Sequence, residues 1–468
     1  MFMDPEKRAR RQSLRILISE CFMVLAVVVT VAILAFVVSG YWVNSDFKVE
    51  RNGMLQISSL PTGADVIVDG ESAWNQRTNT SKVLSSGEHT IELKKEGYDT
   101  WSRTINITKG LLYRVHYPRL FPLEREKSAV FEIGATTFAT VSPNRELALI
   151  ANDTTSWTLL GLTGDKITTT PIDVSTVFSS VSLAPGAEKG LFVGQILDAD
   201  WNTNNDRILF KIINGSSVEW SLLNINNPKE SINLTKEFNA NFSEIKIYDN
   251  SASNLLAVLD GDLRKIDTGG KQLSTVLVND IKSFDYHDST IVFSAKDEVK
   301  EKYYIGETTL SGEIKTIFDD LEKAPKVAIS RFYDDKYISV LNESTLTIYK
   351  KDSSEVFLEK DLGFTPETLV VGHEGEFITL TSGSKIATVD MEAIDVVVWS
   401  PESPYFSWLD SDMLYSINDG DLIVYDFDGL NRRSLAKNVS NSFPVTITND
   451  KYLYYVSDGN LIRELITI

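Results

Sequence analysis

The chain has 468 residues, of which 43% are hydrophobic, so it can bury a sizeable core and form two or three domains. Its single cysteine, Cys21, excludes an intrachain disulfide and a cysteine-based metal site. The formal net charge of −19 would repel a phosphate backbone and argues against nucleic acid as a partner. The same negative charge could attract a basic partner, or it could simply keep the protein surface well solvated.

An uncharged segment near the N-terminus predicts one membrane-spanning helix. No charged residue occurs between Cys21 and Ser45, and the apolar run exceeds the roughly 20 residues that cross a bilayer. We place the helix at residues 16–43, where Tyr41 and Trp42 would mark the far interface. The basic tail, residues 1–15, predicts a cytoplasmic N-terminus, because cytoplasmic flanks are rich in Lys and Arg. The first 20 residues sum to +2, so the extracytoplasmic part would carry most of the negative charge, about −21.

A cleaved signal peptide is the alternative for this segment. Val38-Ser39-Gly40 offers small residues at which cleavage could occur. However, the apolar run is longer than the roughly 7 to 15 residues of a usual signal-peptide core. The sequence therefore favours a retained anchor.

A small antiparallel β domain is predicted over residues 53–120, after a short linker at residues 44–52. The segments "LQISSL", "ADVIVDG", "HTIELKK" and "SRTINIT" alternate apolar and polar residues. They are bounded by turn-forming residues such as Pro-Thr-Gly, Asp-Gly and Ser-Gly. Alternation of this kind is typical of strands with one buried face.

The order of "SSLPTGADVIVDG", "LSSGEHTIELKKEGYDTW" and "INITKG" resembles the PEGA domain over residues 53 to about 118. Where the family motif reads Pro-Glu-Gly-Ala, this chain has Pro-Thr-Gly-Ala, which keeps the turn glycine and the inward alanine. The resemblance implies a β-sandwich-like module found beside membranes and on cell surfaces, used for attachment or binding and not for chemistry. The residues expected to shape the module are Pro61, Gly63, Ala64, Gly97 and Tyr98.

A longer repeat begins at about residue 126. The segments "LNESTLTIYKKD", "LTSGSKIATVDM", "INDGDLIVYDFDG" and "VSDGNLIRELIT" align, with Ser344, Gly383, Gly420 and Gly459 at equivalent places. The resulting period of roughly 40 residues fits a four-stranded propeller blade. Eight polar turns, each followed by an apolar strand, predict a WD40/TolB-like β-propeller of eight blades over residues 126–468, with seven blades as the alternative.

Two irregularities in the repeat lead to further predictions. The step from Asn144 to Asn205 is about one and a half times the usual period, so we expect an insertion within Asp173–Gly194. The last unit, from about Phe443, has room for only three strands, while "SAVFEIG" precedes the first unit without a partner. We expect that segment to complete the last blade, because pairing the two chain ends removes exposed strand edges.

The recurring tetrapeptide "DGDL" could be an acidic calcium loop or a hairpin turn. It occurs at Asp260–Leu263 and Asp419–Leu422, with "DGNL" at Asp458–Leu461. Asp-Gly pairs supply the left-handed backbone angles of a tight hairpin, whereas calcium needs a longer pattern of oxygen ligands that is absent here. We predict turns, and neither a metal nor a cofactor. The turn glycines are Gly261, Gly420 and Gly459.

Residues with catalytic or binding potential are scattered. The sequence has no G-x-S-x-G, Walker or G-x-G-x-x-G pattern, and its histidines lack zinc-site spacing. Several aromatic residues lie near the turn that follows the first strand of each repeat. They could line a ligand-binding face, or they could pack between blades. The histidines are His89, His116, His287 and His373. The aromatic candidates for binding are Trp201, Tyr248, Tyr286, Tyr333 and Trp408.

These features predict an all-β, single-pass membrane protein whose propeller lies outside the cytoplasm. The favoured function is non-enzymatic binding of a protein or an envelope glycan. The alternative is a propeller hydrolase or lyase acting on envelope polysaccharide or peptide, with carboxylates drawn from separate blades. A sensor is a weaker possibility, since the short cytoplasmic tail would need a separate output partner. Perturbed carboxylates that converge on one pocket would favour the enzyme.

Overall fold

The computed structural model describes residues 5–38, 41–43, 49–134, 136–179, 181–183, 190–353, 355–372, 375–403 and 406–467. The chain divides into two compact units, Met1–Leu120 and Phe121–Ile468. The predicted turn residues His373 and Glu374 lie outside the described residues.

The first element is a long helix, α1 (Pro5–Val38). Its window Ile18–Ala35 has a mean hydropathy of 2.5 and no buried side chain, so the helix is long and apolar enough to cross a membrane. The helix was predicted to end at residue 43, but it ends at Val38. Tyr41–Val43 form β1, which pairs antiparallel with β2 (Val49–Arg51) inside the predicted linker. Aromatic and β-branched residues favour this extended backbone.

The rest of the first unit is a two-sheet β domain. One sheet has the order β6-β3-β9 and the other β5-β4-β7-β8. Its strands are β3 (Gly53–Ile57), β4 (Asp65–Val68), β5 (Glu71–Arg77), β6 (Thr80–Leu84), β7 (Gly87–Lys94), β8 (Trp101–Ile107) and β9 (Leu112–Val115). Alternating residues such as Leu55, Ile91 and Trp101 are fully buried, as the period-two pattern predicted.

This domain departs from the prediction in strand number and in direction. The four predicted strands correspond to β3, β4, β7 and β8, and β5, β6 and β9 were missed. The domain is not wholly antiparallel, since β9 runs parallel to β3. A parallel pair joins segments far apart in sequence, so local turn signals do not reveal it.

The predicted PEGA-type turn residues lie at turns and in the core. Gly63 and Gly97 have φ of +81° and +80°, a region where a side chain is strained. Ala64 has no exposed surface, and its N–H donates to Thr78 Oγ1 at 3.1 Å. Lys95 Nζ lies 5.8 Å from the centre of the Tyr98 ring.

The second unit consists mainly of antiparallel sheets that follow one another along the chain, numbered here sheets 1 to 8. Sheet 1 contains β11 (Phe138–Val141), β12 (Leu147–Ala151), β13 (Ser156–Gly161) and β14 (Thr168–Asp173). A hairpin follows, formed by β15 (Val181–Leu183) and β16 (Gly190–Phe192). Sheet 2 contains β17 (Gln195–Trp201), β18 (Arg207–Asn214), β19 (Ser217–Asn224) and β20 (Ile232–Asn233). The short helix α2 (Leu234–Phe238) comes next. The hairpin of β15 and β16 lies within Asp173–Gly194, so it confirms the insertion predicted there.

The next sheets repeat the same order of four strands. Sheet 3 contains β21 (Phe242–Ile247), β22 (Asn254–Leu259), β23 (Asp262–Asp267) and β24 (Gln272–Leu273). Sheet 4 contains β25 (Ile281–His287), β26 (Thr290–Asp297), β27 (Lys302–Thr308) and β28 (Lys315–Leu321). Sheet 5 contains β29 (Lys326–Phe332), β30 (Asp335–Asn342), β31 (Thr345–Lys350) and β32 (Glu355–Asp361).

The remaining sheets complete the unit. Sheet 6 contains β33 (Thr368–Val371), β34 (Phe377–Ser382), β35 (Lys385–Asp390) and β36 (Asp395–Trp399). Sheet 7 contains β37 (Phe406–Trp408), β38 (Met413–Asn418), β39 (Asp421–Asp426) and β40 (Arg433–Ala436). Sheet 8 contains β10 (Lys127–Glu132), β41 (Val439–Ser440), β42 (Thr446–Thr448), β43 (Tyr452–Ser457) and β44 (Asn460–Leu465).

Hydrophobic contacts between neighbouring sheets hold this β-propeller together. Trp157 of sheet 1, Phe210 of sheet 2 and Phe192 of the inserted hairpin share one buried cluster. A further cluster joins the last sheet to the first through Tyr454 and Leu160. The second strand of most sheets is buried along nearly its whole length, because neighbouring sheets cover both of its faces.

The two ends of the unit meet in sheet 8. β10 pairs antiparallel with β44, which confirms that "SAVFEIG" completes the last sheet. Glu464 of β44 is 3% exposed and accepts hydrogen bonds from Arg125 and, at 2.7 Å, from the Tyr455 hydroxyl. This pairing leaves neither end of the propeller as a free strand.

The "DGDL" segments are hairpin turns between the second and third strands of their sheets. Both central residues have positive φ, for example +54° at Asp260 and +88° at Gly261. Two successive positive φ values define the tight hairpin turn that Asp-Gly favours. The leucines that follow are fully buried. They are Leu263, Leu422 and Leu461.

Candidate ligand-binding channel

A cavity of about 1400 Å³ lies along the first strands of sheets 2 to 6. Each of these strands stands at the end of its sheet and pairs on one side only. Their alternate side chains therefore reach the open space beside them. The turns that follow β17, β21 and β25 also line the cavity, so it reaches beyond the ends of these strands.

Three charged residues occupy the same register position in consecutive sheets. Asp200, Lys246 and Asp285 stand opposite the third residue of the following strand, which is an aliphatic residue in each case. All three line the cavity. Because the position repeats, the fold brings these charges to one level of the channel.

Asp200 is the most perturbed acid of this group. Asp200 lines the cavity, and its side chain is exposed to the open space there. The protein atoms of the channel nevertheless reduce its hydration, and this desolvation, with a smaller contribution from the charge of Asp198, raises the pKa of Asp200 to about 6 from the usual 3.8. Among the described residues, no hydrogen-bond donor or ion-pair partner contacts its carboxylate. The carboxylate oxygens of Asp200 are therefore open to a ligand in the cavity.

Asp285 lies in a different environment. Burial raises its pKa, while the nearby Lys246 charge and the backbone N–H of Ile329 oppose this rise. The Ile329 N–H donates to Asp285 Oδ2 at 3.1 Å, and Lys246 Nζ lies 3.8 Å from Oδ1. Lys246 also donates to the Phe284 carbonyl at 2.8 Å and lies 4.7 Å from the centre of the Phe284 ring. Asp285 and Lys246 are thus held by neighbouring groups.

Two tyrosines form an aromatic surface in the same cavity. The ring centres of Tyr248 and Tyr286 are 5.3 Å apart, with the planes inclined at 43°. The Tyr286 hydroxyl donates to the Ile247 carbonyl, which fixes the orientation of its ring. Burial and then the charge of Asp200 raise the pKa of Tyr286, so Asp200 lies within electrostatic reach of the ring pair.

The five predicted aromatic candidates are not all in one place. Trp201, Tyr248 and Tyr286 line the cavity. Trp201 is nevertheless 7% exposed and donates through Nε1 to Thr140 Oγ1 at 3.0 Å, so it mainly packs between sheets 1 and 2. Tyr333 lines a smaller neighbouring hollow, and Trp408 stacks on Phe377 with ring centres 6.2 Å apart.

The histidines are in separate environments. His287 lines the channel, and its Nε2 is 3.6 Å from Asp288. His89 Nδ1 is 2.7 Å from Asp69, in the β domain of the first unit. His116 packs edge-on against Tyr117 with ring centres 6.4 Å apart.

Sequence reasoning missed Asp200, Lys246 and Asp285 as a group. No motif marks them, because they come from three sheets and each is separated from the next by a whole repeat. The signal that would have found them is periodic: a charged residue close to the end of three consecutive first strands, those of sheets 2 to 4, shortly before the polar turn. Within the described residues, no three His, Cys, Asp or Glu side chains are grouped to hold a metal ion.

Comparison with protein families finds a match for the β domain of the first unit. The family model described as PEGA domain matches residues 52–119. The match confirms the resemblance read from the "LPTGADVIVDG" segment. Comparison with the curated proteins finds no match.

Solved structures similar to the chain include several β-propellers. The Dos1 propeller is 12% identical and has a TM-score of 0.43, covering 73% of this chain and 94% of that one. The Cps50 (Swd1) β-propeller domain of Myceliophteria thermophila is 11% identical, with a TM-score of 0.39 and coverages of 74% and 99%. Oligogalacturonate lyase from Vibrio parahaemolyticus is 12% identical, with a TM-score of 0.39 and coverages of 73% and 97%. Similarity at this level carries no argument about a ligand or a reaction.

Proposed function

We propose that this protein is a single-pass, membrane-anchored binding protein whose propeller channel holds its ligand outside the cytoplasm. The observation that carries the proposal is the 1400 Å³ cavity, which five sheets line with charged and aromatic side chains. A concave site of this size with a few converging polar groups is typical of ligand-binding sites. The ligand would be a protein segment or a glycan of the cell envelope.

The membrane anchor is supported by α1 and by the charge distribution. The exposed apolar window Ile18–Ala35 suits lipid, and the five basic residues before it favour a cytoplasmic N-terminus. PEGA domains are usually extracellular, which agrees with this orientation. We propose a cytoplasmic tail at residues 1–15, a membrane-spanning part of α1 that begins at about residue 16, a PEGA domain at residues 53–120 and a propeller at residues 126–468.

Cell fractionation tests the anchor. The full-length chain should stay in membranes washed with alkaline carbonate, and protease added outside intact cells should digest the propeller. A mature chain that starts at Tyr41 in the soluble fraction would show that α1 is a cleaved signal peptide.

Affinity capture tests the binding function. Tagged full-length chain would be isolated from solubilised envelopes together with its ligand, in parallel with a channel variant, Tyr248→Leu. We expect a protein or glycan that the unchanged chain retains and the variant loses. Equal recovery from both chains would place the binding surface outside the channel.

A hydrolase or lyase remains a second candidate function, because the channel meets one criterion for an enzyme. Asp200 and Asp285 line the same cavity, and burial raises the pKa of both. An acid with a pKa near 6 and a second carboxyl group can serve as general acid and base. Incubation of envelope polysaccharide or peptide with the chain should then yield new chain ends. Asp200→Asn and Asp285→Asn should each abolish them.

A further inference from the structure

We infer that the channel recognises an organic cation, an ammonium or guanidinium group, between the Asp200 carboxylate and the ring pair Tyr248 and Tyr286. The inference rests on the proposed function, because it requires the ligand to enter the channel. A lysine or arginine of a peptide and a free amine share this chemistry.

The lysines of the channel are engaged by other groups and do not offer an anion site. Lys246 contacts Asp285 and the Phe284 carbonyl. Lys282 donates to a neighbouring aspartate, and Lys326 donates to a backbone carbonyl. Because these ammonium groups already have partners, an anionic ligand would have to compete for them.

Most carboxylates of the channel are engaged as well. Burial would raise the pKa of Asp249, but hydrogen bonds from residues of its own turn outweigh this effect and lower the pKa. Asp288 pairs with a lysine of sheet 5 at 2.8 Å, and Glu244 lies 3.7 Å from Lys246. Asp200 differs from these residues, since within the described chain no donor contacts it. Glu367 accepts a hydrogen bond from the Ser382 hydroxyl at 3.3 Å. Among the described carboxylates of the lining, Asp200 is therefore the negative charge that lacks a donor.

The ring pair supplies a second attraction for a cation. The faces of aromatic rings attract ammonium and guanidinium groups. The rings of Tyr248 and Tyr286 lie together at 5.3 Å, and the charge of Asp200 acts on Tyr286. A cation at this level of the channel would meet a full negative charge and an aromatic surface at once.

Other ligand chemistries fit this site less well. A divalent metal ion would need several carboxylate or imidazole ligands, and within the described residues no such group is assembled. A neutral sugar could stack on the tyrosines, but it would leave the Asp200 charge unmatched within the channel walls.

Calorimetric titration of the detergent-solubilised full-length chain tests the inference. The probes are cadaverine as a free amine and a tri-arginine peptide, with a tri-glutamate peptide, cellotriose and calcium chloride as comparators. We expect one of the two cations, or both, to bind at one site per chain, and the comparators not to bind there. The cation that binds identifies whether the group belongs to a free amine or to a peptide.

Two pairs of variants localise the site. Asp200→Asn should weaken cation binding about tenfold, because it removes the charge but keeps the shape. Asp198→Asn, on the same strand but outside the cavity lining, should leave the affinity within about twofold. Tyr248→Leu should weaken binding, while Tyr248→Phe should retain it because the ring is kept. Melting curves of the variants would check that each is folded.

Several outcomes would overturn the inference. The inference is wrong if neither cation binds. It is also wrong if the Asp200→Asn variant and the unchanged chain bind the cation with equal affinity. Binding of cellotriose or the tri-glutamate peptide that depends on Tyr248 would also overturn it, yet would support the proposed channel site. The proposed function fails separately, if affinity capture recovers the same ligand with and without the Tyr248→Leu change.

Discussion

At the scale of single residues, Asp200 is expected to lower the stability of the fold at neutral pH. Its pKa is raised from 3.8 to about 6 by burial, so between these two values the folded chain binds more protons than the unfolded chain. Protonated Asp200 therefore does not destabilise the fold at low pH, but the free energy of unfolding falls as the pH rises from 3.8 to about 6. A residue that costs stability at neutral pH is consistent with a functional role.

The Asp200→Asn variant tests this prediction. Its melting temperature should exceed that of the unchanged chain at about pH 8, and the difference should vanish at about pH 3, where Asp200 is protonated in the folded chain and largely protonated in the unfolded chain. Asp198→Asn is the comparison variant and should show the same trend at a smaller size, because the charge of Asp198 makes only the smaller contribution to the raised pKa of Asp200. A difference that stays constant across the pH range would contradict the raised pKa.

The hairpin turns allow a second prediction at this scale. Gly459 has a φ of +76°, and no atom lies within 4 Å of the position that a Cβ would take. Gly459→Val should therefore destabilise the propeller through backbone strain alone, by roughly 1–3 kcal/mol. Asp458→Asn should be neutral within about 0.5 kcal/mol, because Asn tolerates positive φ. Chemical denaturation of the two variants provides the measurement.

A metal role for these turns would give the opposite pattern. Chelator would then lower the melting temperature of the unchanged chain, and asparagine at Asp260 and Asp262 would abolish that effect. We expect no chelator effect, because the positive φ values explain the Asp-Gly pairs as turns.

At the scale of elements, β44 is expected to be essential for closing the propeller. It pairs with β43 on one side and β10 on the other, and Leu461 within it is fully buried. Deletion of residues 461–468 should lower the melting temperature by roughly 10 °C or more, since it removes two strand pairings and part of a buried cluster. Deletion of Glu298–Lys300, where Val299 is 94% exposed, should have a small effect. Equal melting temperatures for the two deletions would contradict closure by β44.

At the scale of the whole molecule, the basic residues before α1 are expected to set its orientation. Replacing Arg8, Arg10 and Arg11 with glutamine removes most of the positive charge from the proposed cytoplasmic side. A fraction of the chains should then insert with the propeller inside, where external protease does not reach it. Glu6→Gln is the control, because acidic residues contribute little to orientation. Unchanged protease digestion of the triple variant would argue against orientation by these residues.

The sequence alone determined the features that depend on local pattern. The apolar run predicted α1, the period-two alternation predicted four strands of the PEGA domain, and the regular recurrence of one hairpin segment predicted the repeated sheets. The Asp-Gly pairs predicted the hairpin turns, because backbone geometry at each turn depends on only two residues. These features are readable because hydrophobic periodicity and turn chemistry act over a few neighbouring positions.

Only the tertiary structure decided which distant residues meet. The parallel pairing of β9 with β3 and the gathering of Asp200, Lys246 and Asp285 join positions that no local pattern relates. The raised pKa of Asp200 likewise arises from the channel walls, which come from several sheets. Burial and electrostatic proximity are properties of the folded arrangement, so the sequence provided the charged residues while the fold determined their environment.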